Sequence, residues 1–276
     1  MRNAVRPLLS EEGITEWAIL PASAVRILRP ELLLREGPLA PRSLLLFLVP
    51  YYAGEVENLS LYAAPRDYHR YMRDLTARLL SAVSAAYPSA TLRGFADHSP
   101  IDERYAAATA GLGVLGDNGL LINPRYGSFV FIGALFSDIP PDAEAEGAPR
   151  PLAFCEHCGA CRRACPTHAL SGEGECLSEL TQRKGELAPE TVALMKAHRT
   201  VWGCDLCQTA CPHNRRAIAA GVTTPIGYFH AGRITRLDSR LLAAMPRSEF
   251  EQRAFSWRGR RTIERNLAAY EEKNGD

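Results

Sequence analysis

Hydrophobic positions in the first half of the chain fall into blocks that predict alternating strands and helices. The apolar run from Leu44 to Val49 predicts a buried strand, and Thr91 to Ala96 predicts a second one. Between them, residues 67–87 carry apolar side chains at helical spacing and predict an amphipathic helix. Residues 118–123 and 128–136 flank a Pro-Arg-Tyr-Gly turn and predict a hairpin. This alternation favours an α/β layer fold.

The overall composition is that of an ordinary soluble globular protein. The 276 residues are 46% hydrophobic and 23% charged, with a net charge of +1, which argues against a polybasic or polyacidic binding tail. The longest apolar run is far shorter than the roughly 20 residues that a membrane span needs. The N-terminal residues contain no apolar signal-peptide core, so we expect a cytoplasmic protein.

Eight cysteines, all between Cys155 and Cys211, indicate the chemistry. The first run, Cys-x2-Cys-x2-Cys-x3-Cys-Pro from Cys155, has the spacing of bacterial two-cluster ferredoxins. The second run, from Cys204, lacks the leading cysteine of that pattern, and Cys176 belongs to neither run. Disulfides are rare in a reducing cytosol. Two zinc knuckles or unrelated core thiols are the alternatives, but the doubled spacing that ends in proline is typical of iron–sulfur proteins.

The cysteine count predicts two 4Fe–4S clusters with no thiolate left over. Each cluster needs four thiolates, and in two-cluster proteins the last cysteine of each run binds the other cluster. The first cluster would then be held by Cys155, Cys158, Cys161 and Cys211. The second cluster would be held by Cys165, Cys176, Cys204 and Cys207.

The cysteine region needs far less chain than is present, so a further domain is predicted before it. Residues 138–150 are rich in proline, alanine, glycine and acidic side chains, as linkers are. The predicted organisation is an α/β domain over 1–140, a linker over 141–150, a two-cluster ferredoxin-like domain over 151–220 and a helical C-terminal segment over 221–276.

Two features late in the predicted α/β domain are candidates for function. Gly111 to Gly116 satisfies the G-x-G-x-x-G pattern of dinucleotide sites, but it follows a predicted helix, with Gly111 as the cap, rather than opening one. Ser99 and Pro100 predict the start of that helix through a capping box. Asp97 is then free to face a cleft, where desolvation would raise its pKa and suit it to donate a proton. The alternative is a loop aspartate that accepts backbone hydrogen bonds.

Several further stretches of the chain carry a family resemblance. They are FADHSPIDER, AGLGVLGDNGLLI, YGSFVFIG, FCEHCGACRRACPTHAL, CLSELTQRKG, GCDLCQTACPHN and RGRRTIERNLA. Together they resemble the epoxyqueuosine reductase family, cobalamin-dependent iron–sulfur enzymes of tRNA modification, from about Leu44 to Tyr270. The isolated Cys176 in CLSELT matches that family and supports the ligand assignment from a second direction.

The resemblance implies an N-terminal α/β domain that binds a base-off corrinoid next to the two-cluster domain. Electrons would pass from an external donor of the flavodoxin or ferredoxin type through the clusters to cobalt, and the reduced cobalamin would deoxygenate epoxyqueuosine to queuosine in tRNA. By the same resemblance, Asp97 is the proton donor. The implied corrinoid contacts are Leu121, Ser128, Ile132, Ser178, Leu180, Gly203 and Asp205.

Three departures from the family pattern concern the substrate. Family members usually continue beyond RGRRTIERNLA into a helical-repeat region that helps hold tRNA, so the resemblance is to a short form that stops at Asp276. Asp117 stands where the tRNA enzymes usually carry a lysine, and His213 stands where a tryptophan is usual. The alternatives are the same redox core acting on a small molecule or a corrinoid protein, and a non-catalytic two-cluster electron carrier.

Charge near the C-terminus leaves tRNA binding open. Residues 233–265 hold nine arginines against four acidic side chains, a net charge of +5, near Phe255 and Trp257. Such a segment can contact a phosphate backbone. A helix with a solvated basic face explains the same residues.

Overall fold

The computed structural model describes residues 1–141 and 155–272, so the predicted linker lies, beyond residue 141, outside the described residues. The chain divides into two compact units, each assembled from three separate stretches. The first, called the sheet unit, comprises Met1–Tyr51, His69–Cys158 and Arg216–Ile226. The second, called the cysteine unit, comprises Tyr52–Tyr68, Gly159–Arg215 and Gly227–Asp276. The domain boundaries expected from the sequence stay a prediction.

The described residues form both strands and helices. The strands are β1 (Trp17–Pro21), β2 (Ser43–Pro50), β3 (Leu92–Ala96), β4 (Val114–Leu115), β5 (Leu121–Ile122) and β6 (Val130–Ser137). The helices are α1 (Arg2–Glu11), α2 (Glu31–Leu34), α3 (Tyr68–Ala86), α4 (Glu103–Thr109), α5 (Ala160–Arg163), α6 (Leu177–Gln182), α7 (Pro189–Ala197), α8 (Leu206–Thr209), α9 (Pro212–Ala219), α10 (Gly227–His230), α11 (Ser239–Ala244), α12 (Arg247–Phe250) and α13 (Arg260–Glu271). Over residues 1–141 and 155–272, no helix combines the length and the apolar character that crossing a membrane requires.

Four strands form one antiparallel sheet in the order β1-β2-β6-β3. β2 lies inside the sheet and is buried at every position, because its apolar run has no polar side to turn toward water. The register places Phe47 of β2 opposite Trp17 of β1 and, on the other side, opposite Gly133 of β6. The mixture of helices and strands agrees with the predicted class, although each neighbouring pair in this sheet is antiparallel.

Helices cover both faces of this sheet. Alternate residues of a strand point to opposite faces, and Leu44 and Leu46 of β2 share a buried cluster with Ala106 of α4. On the opposite face, Gly94 of β3 lies under α3, where a Cβ would be 2.1 Å from Cγ2 of Thr76. The missing side chain therefore lets α3 pack directly on the strand whose end leads to Asp97.

The cysteine unit has its own apolar core around Trp202 and Phe255, which are both fully buried. The stretch 52–68 belongs to this core although it precedes the cysteines in sequence. Leu59 forms an isolated β-bridge with Trp202. The Asn58 side chain donates to the carbonyl of Leu237 (2.7 Å) and accepts from its amide (2.9 Å). These paired buried groups tie the stretch firmly to the C-terminal part of the unit.

Two local predictions were wrong. β5 pairs with β4 rather than with β6, so the predicted hairpin does not form. An isolated bridge between Asn123 and Gly127 closes the turn instead, and β6 continues into the main sheet. The cap of α4 is Asp102 rather than Ser99, because the Asp102 carboxylate accepts hydrogen bonds from two first-turn amides.

The glycines of the motif after α4 allow a helix end and a close approach of two backbone segments. Gly111 has a φ of 73°, which suits a residue that ends a helix. A Cβ on Gly113 would lie 2.7 Å from the carbonyl oxygen of Ile122, and one on Gly116 would lie 2.8 Å from the Ile122 side chain. The two glycines therefore allow the close approach of β4 to β5.

Candidate functional site

The eight cysteines are free thiols rather than disulfides. Cys155 and Cys158 belong to the sheet unit, and the other six belong to the cysteine unit. Four of these six lie in or directly before helices. Cys161 lies in α5 and Cys207 in α8, Cys176 precedes the first turn of α6, and Cys211 directly precedes α9. One unit therefore contains all four thiols predicted for the second cluster: Cys165, Cys176, Cys204 and Cys207.

Cys204 and Cys207 lie within electrostatic reach of their predicted partners. Burial raises the pKa of Cys204 to about 11, and the nearby sulfurs of Cys176 and Cys165 add to the rise. Burial likewise raises the pKa of Cys207 to about 12, with Cys204 and Cys176 contributing, and with Cys161, which is predicted for the first cluster, contributing as well. Gathered, half-buried thiols that oppose one another's ionisation are the donors that a bound metal deprotonates and holds. The donor chemistry therefore fits an iron–sulfur cluster.

Cys165 differs because the surrounding backbone stabilises its thiolate. Burial raises its pKa, but the amides of Leu170, Thr167 and Ala169 and the Thr167 hydroxyl donate to the sulfur and bring the pKa below its ordinary value. The hydroxyl oxygen lies 3.7 Å from that sulfur. Hydrogen bonds to sulfur tune iron–sulfur clusters, so this environment suits a cluster ligand.

Gly174 returns the chain toward Cys165 just before Cys176. A Cβ on Gly174 would lie 2.1 Å from the carbonyl oxygen of Thr167, so only a residue without a side chain fits this crossing. The crossing explains how Cys176, which belongs to neither sequence run, comes near the other sulfurs of the set.

Gly203 fixes the backbone immediately before Cys204. Its φ of 75° lies in the left-handed region, and a Cβ there would be 2.3 Å from Oγ of Ser60. The Gly203 amide donates to Oγ1 of Thr181 (3.0 Å), and its carbonyl accepts from the Thr200 hydroxyl (2.8 Å). The residue is buried, so it acts on Cys204 through the backbone.

The other predicted corrinoid contacts differ in their exposure. Leu121 and Ser128 are buried in the sheet unit, whereas Ile132 of β6 is partly exposed. Ser178 and Leu180 lie on α6 of the cysteine unit, and both are partly exposed. Three of these five side chains therefore keep some surface for a ligand.

Asp205 is the last predicted corrinoid contact, and both of its carboxylate oxygens are bonded within the cysteine unit. Oδ2 accepts from the amide of Leu61 (2.6 Å), and Oδ1 accepts from the side chain of Gln208 (3.2 Å). Burial raises the pKa of Asp205 to about 6, although these hydrogen bonds oppose the rise. Its carboxylate therefore ties the stretch 52–68 to the helix that carries Cys207.

Asp117 and His157 support the loop that carries Cys155 in the sheet unit. Oδ1 of Asp117 lies 2.8 Å from Nδ1 of His157. These two side chains and the Cys155 sulfur offer ligand atoms that all lie within 4.8 Å of one another. Asp117 thus makes a contact beside a predicted cluster ligand.

Asp97 follows β3 directly and adopts a φ of 67°, which is uncommon for residues other than glycine and recurs at functional sites. Oδ2 of Asp97 lies 3.3 Å from Nε2 of His69, which is the second residue of α3. The Asp97 side chain is 65% exposed. This hydrogen bond outweighs partial burial and, with the charges of His69, His98 and Arg29, lowers the pKa of Asp97. The expectation of a raised pKa was wrong, because it left the His69 partner out.

Glu103 is an ionisable neighbour of Asp97 that sequence reasoning missed. Burial raises its pKa to about 7, and the negative charge of Asp97 adds to the rise, while Ser99 and Arg29 oppose it. Neighbouring carboxylates with opposite pKa shifts are typical of acid–base sites. In the sequence Glu103 looks like an ordinary first-turn acid, which the helix dipole favours, so only its burial distinguishes it.

The cysteine-rich segment matches a known domain family. The family described as 4Fe-4S double cluster binding domain matches residues 154–214. This segment therefore has the pattern of a domain that binds two 4Fe–4S clusters.

The similarity to individual proteins extends well beyond that segment. An epoxyqueuosine reductase of Listeria monocytogenes is 34% identical over 230 residues, 75% of this chain and 56% of the relative. The structure of an epoxyqueuosine reductase from Streptococcus thermophilus has a TM-score of 0.75 at 23% identity, covering 98% of this chain and 80% of that one. An epoxyqueuosine reductase solved with an epoxyqueuosine-modified tRNA-Tyr stem loop has a TM-score of 0.78, with the same identity and coverage.

The chain is a homologue of the epoxyqueuosine reductases and shares their fold. It spans about half the length of the curated relatives it matches.

Proposed function

We propose that this protein is an iron–sulfur reductase of the epoxyqueuosine reductase type, which reduces epoxyqueuosine to queuosine in tRNA. The observation that carries the proposal is the eight-cysteine set, in a double-cluster domain, on a chain homologous to those enzymes. Electrons would enter from a flavodoxin-type or ferredoxin-type donor and pass through the two clusters.

The proposed cluster ligands follow the thiolate count and the environment of the sulfurs. The first cluster takes Cys155, Cys158, Cys161 and Cys211, and the second takes Cys165, Cys176, Cys204 and Cys207. The electrostatic coupling of Cys204 with Cys176 and Cys165 supports the second set. The amide hydrogen bonds to Cys165 suit a cluster ligand but do not distinguish between the two clusters.

The proposal includes a cobalamin. When bound, that cofactor supplies the low-potential electrons that break a carbon–oxygen bond. Ile132 in the sheet unit, and Ser178 and Leu180 in the cysteine unit, each keep some exposed surface that a ligand can contact. Gly203 and Asp205 would act by placing the backbone around Cys204, and the burial of Leu121 and Ser128 limits them to shaping the sheet unit.

Asp97 would deliver a proton to the oxygen that leaves the epoxide. Conversion of the epoxide to an alkene consumes two electrons and two protons and releases water, so a proton donor must be refilled in every turnover. Because His69 lowers the pKa of Asp97, the carboxylate is ionised near neutral pH before substrate binds. The side chain of Asp97 is largely exposed, so Asp97 would take up each proton from solvent when substrate binds. Glu103, whose pKa burial raises to about 7, is a second protonatable carboxyl group near Asp97.

Anaerobic purification with cobalamin supplied, followed by absorbance and EPR spectroscopy, tests the cofactors. We expect eight irons and one base-off corrinoid per chain, and turnover of epoxyqueuosine-containing tRNA. Asp97→Ala should keep both clusters and the corrinoid and lose turnover, whereas Asp74→Ala, an exposed acid on α3, should behave as the wild type.

Three results would each contradict a part of the proposal. Two clusters without corrinoid affinity would favour a non-catalytic electron carrier. A corrinoid-loaded protein that leaves epoxyqueuosine tRNA unchanged would favour a small molecule or a corrinoid protein as the substrate. Normal turnover by Asp97→Ala would remove Asp97 from the mechanism.

A further inference from the structure

The cysteine unit contains a pocket of about 870 Å³ between the start of α13 and the loop after α6. Neither the cysteines nor Asp97 line it. Its charged lining residues are Lys184, Arg258, Arg260, Arg261, Arg265 and one acid, Glu186. The pocket is therefore strongly cationic and separate from the site described above.

The five cations have no carboxylate partner within the described ranges 1–141 and 155–272. No aspartate or glutamate oxygen there lies within 4.0 Å of their nitrogens. By contrast, the neighbouring Arg183 pairs with Glu175 and Glu179. Like charges gathered in a concave site raise the local potential, and an anion in the pocket would offset their repulsion.

Two of the cations are fixed in the walls of the pocket by backbone contacts. Arg260 donates to the carbonyls of Leu242 and Met245, and Arg265 donates to the carbonyl of Gly185. Burial lowers the pKa of Arg265, which carries its charge in a partly desolvated position. These guanidinium groups are preorganised, so their charge is held at the pocket before any ligand arrives.

The remaining features of the pocket also favour an anion. Lys184 and Arg261 are exposed at its rim and are free to reach a ligand. α13 begins at Arg260 after Gly259, which offers no capping side chain, and its first turn holds no acid. The positive end of the helix dipole therefore adds to the side-chain charges.

An aromatic platform lies beside the cationic pocket. Trp257 is 60% exposed, and the guanidinium of Arg258 lies 3.8 Å from the centre of its ring. Aromatic side chains next to cationic grooves bind single-stranded nucleic acids, because bases stack on the ring while phosphates meet the charges. A free inorganic anion would use the pocket and leave the Trp257 platform unused.

We infer that this pocket binds a backbone phosphate of an unpaired RNA segment whose base stacks on Trp257. The inference deepens the proposed function, on which it rests, by giving an RNA substrate a binding site in the cysteine unit. Lys184 and Arg261 contact the phosphate, and the fixed guanidinium groups of Arg260 and Arg265 provide the positive potential that attracts it.

Fluorescence anisotropy with a labelled RNA stem loop that has a seven-nucleotide loop tests the inference on the cluster-loaded protein. The double variant Lys184→Ser/Arg261→Ser should lower the slope of log K against log salt by about 1.4, which weakens binding roughly 25-fold at 0.1 M salt. Trp257→Leu should weaken binding roughly 5-fold to 160-fold and leave the slope unchanged.

The matched control is Arg240→Ser/Arg247→Ser, which removes the same charge from exposed arginines of the same unit outside the pocket. Iron content and thermal midpoint show whether each variant is folded. An unchanged slope in the pocket variant, or an equal loss in the control, overturns the inference. Displacement of RNA by millimolar inorganic phosphate, with Trp257→Leu binding normally, would assign the pocket to free phosphate and also overturn it.

The outcomes separate this inference from the proposed function. If the wild-type protein turns over epoxyqueuosine tRNA but the pocket variants bind RNA as tightly as the wild type, the inference is wrong and the proposed function stands. RNA binding that depends on the pocket, without turnover, would do the reverse.

Discussion

Gly203→Ala should destabilise the cysteine unit and disturb the backbone before Cys204. The left-handed φ of 75° costs a residue with a Cβ about 1–2 kcal/mol. The new Cβ would also lie 2.3 Å from Oγ and 2.6 Å from Cβ of Ser60, and overpacking of this kind costs about 1–3 kcal/mol. The free energy of unfolding should therefore fall by about 2–5 kcal/mol.

Gly172→Ala is the matched control, because it carries the same backbone strain without the contact. Gly172 has a φ of 80°, lies in the same unit, and a Cβ there would meet nothing within 4 Å. Its substitution should cost only the left-handed term, about 1–2 kcal/mol. The difference between the two variants isolates the contact with Ser60.

The assay is the thermal unfolding midpoint and the iron content of both variants, loaded with clusters under anaerobic conditions. At about 2–4 °C per kcal/mol, Gly203→Ala should unfold about 2–12 °C below Gly172→Ala. It should also lose iron, because Cys204 follows the strained residue. Ser60→Gly in the Gly203→Ala background should recover part of the loss. Equal midpoints for the two alanine variants, or no recovery, would refute the reasoning.

Two further predictions concern the carboxylate beside Asp97 and the isolated cysteine. Burial raises the pKa of Glu103 to about 7 in the folded protein. The free energy of unfolding is therefore highest, as far as this group is concerned, below about pH 4.5. It falls by roughly 3 kcal/mol as the pH rises toward 7 and the buried carboxyl ionises. Glu103→Gln should therefore raise the thermal midpoint at pH 8 and leave it nearly unchanged at pH 5, and equal effects at both pH values would contradict this. Cys176→Ser should lose one cluster and spare most of the other, so that iron and sulfide analysis finds about four irons; retention of all eight would exclude Cys176 as a ligand.

Elements defined by local periodicity could be predicted from the sequence almost to the residue. The helix expected over 67–87 spans Tyr68–Ala86, and the strand expected from Thr91 begins at Leu92. Both depend on apolar spacing within one segment. Strand pairing depends on residues outside the segment, and the partner of β5 was assigned wrongly. β5 pairs with β4, whose close approach Gly113 and Gly116 permit.

The same distinction between local spacing and long-range packing applies to the candidate site. The cysteine set could be predicted from the sequence, because a cubic cluster needs four thiolates and short helices and turns present them at short, fixed spacings. The partner of Asp97 could not be predicted from the sequence, because His69 lies 28 residues earlier and is brought near by the packing of α3 on the sheet. The pKa of Asp97 therefore required the fold, since it depends on which charge the fold places beside it.

The assembly of the cysteine unit from separate stretches has a consequence for the synthesis of the protein. Leu59 leaves the ribosome well before its core partners Phe255 and Leu267, which lie 196 and 208 residues further along the sequence. At about 5–20 residues per second, this early stretch waits for roughly 10–40 s before its core can close. The cysteines, which are made in that interval, emerge before their scaffold is complete. The complete scaffold for cluster insertion therefore exists only after Leu267 has been made, and until then the core of the unit that carries six of the thiols stays open.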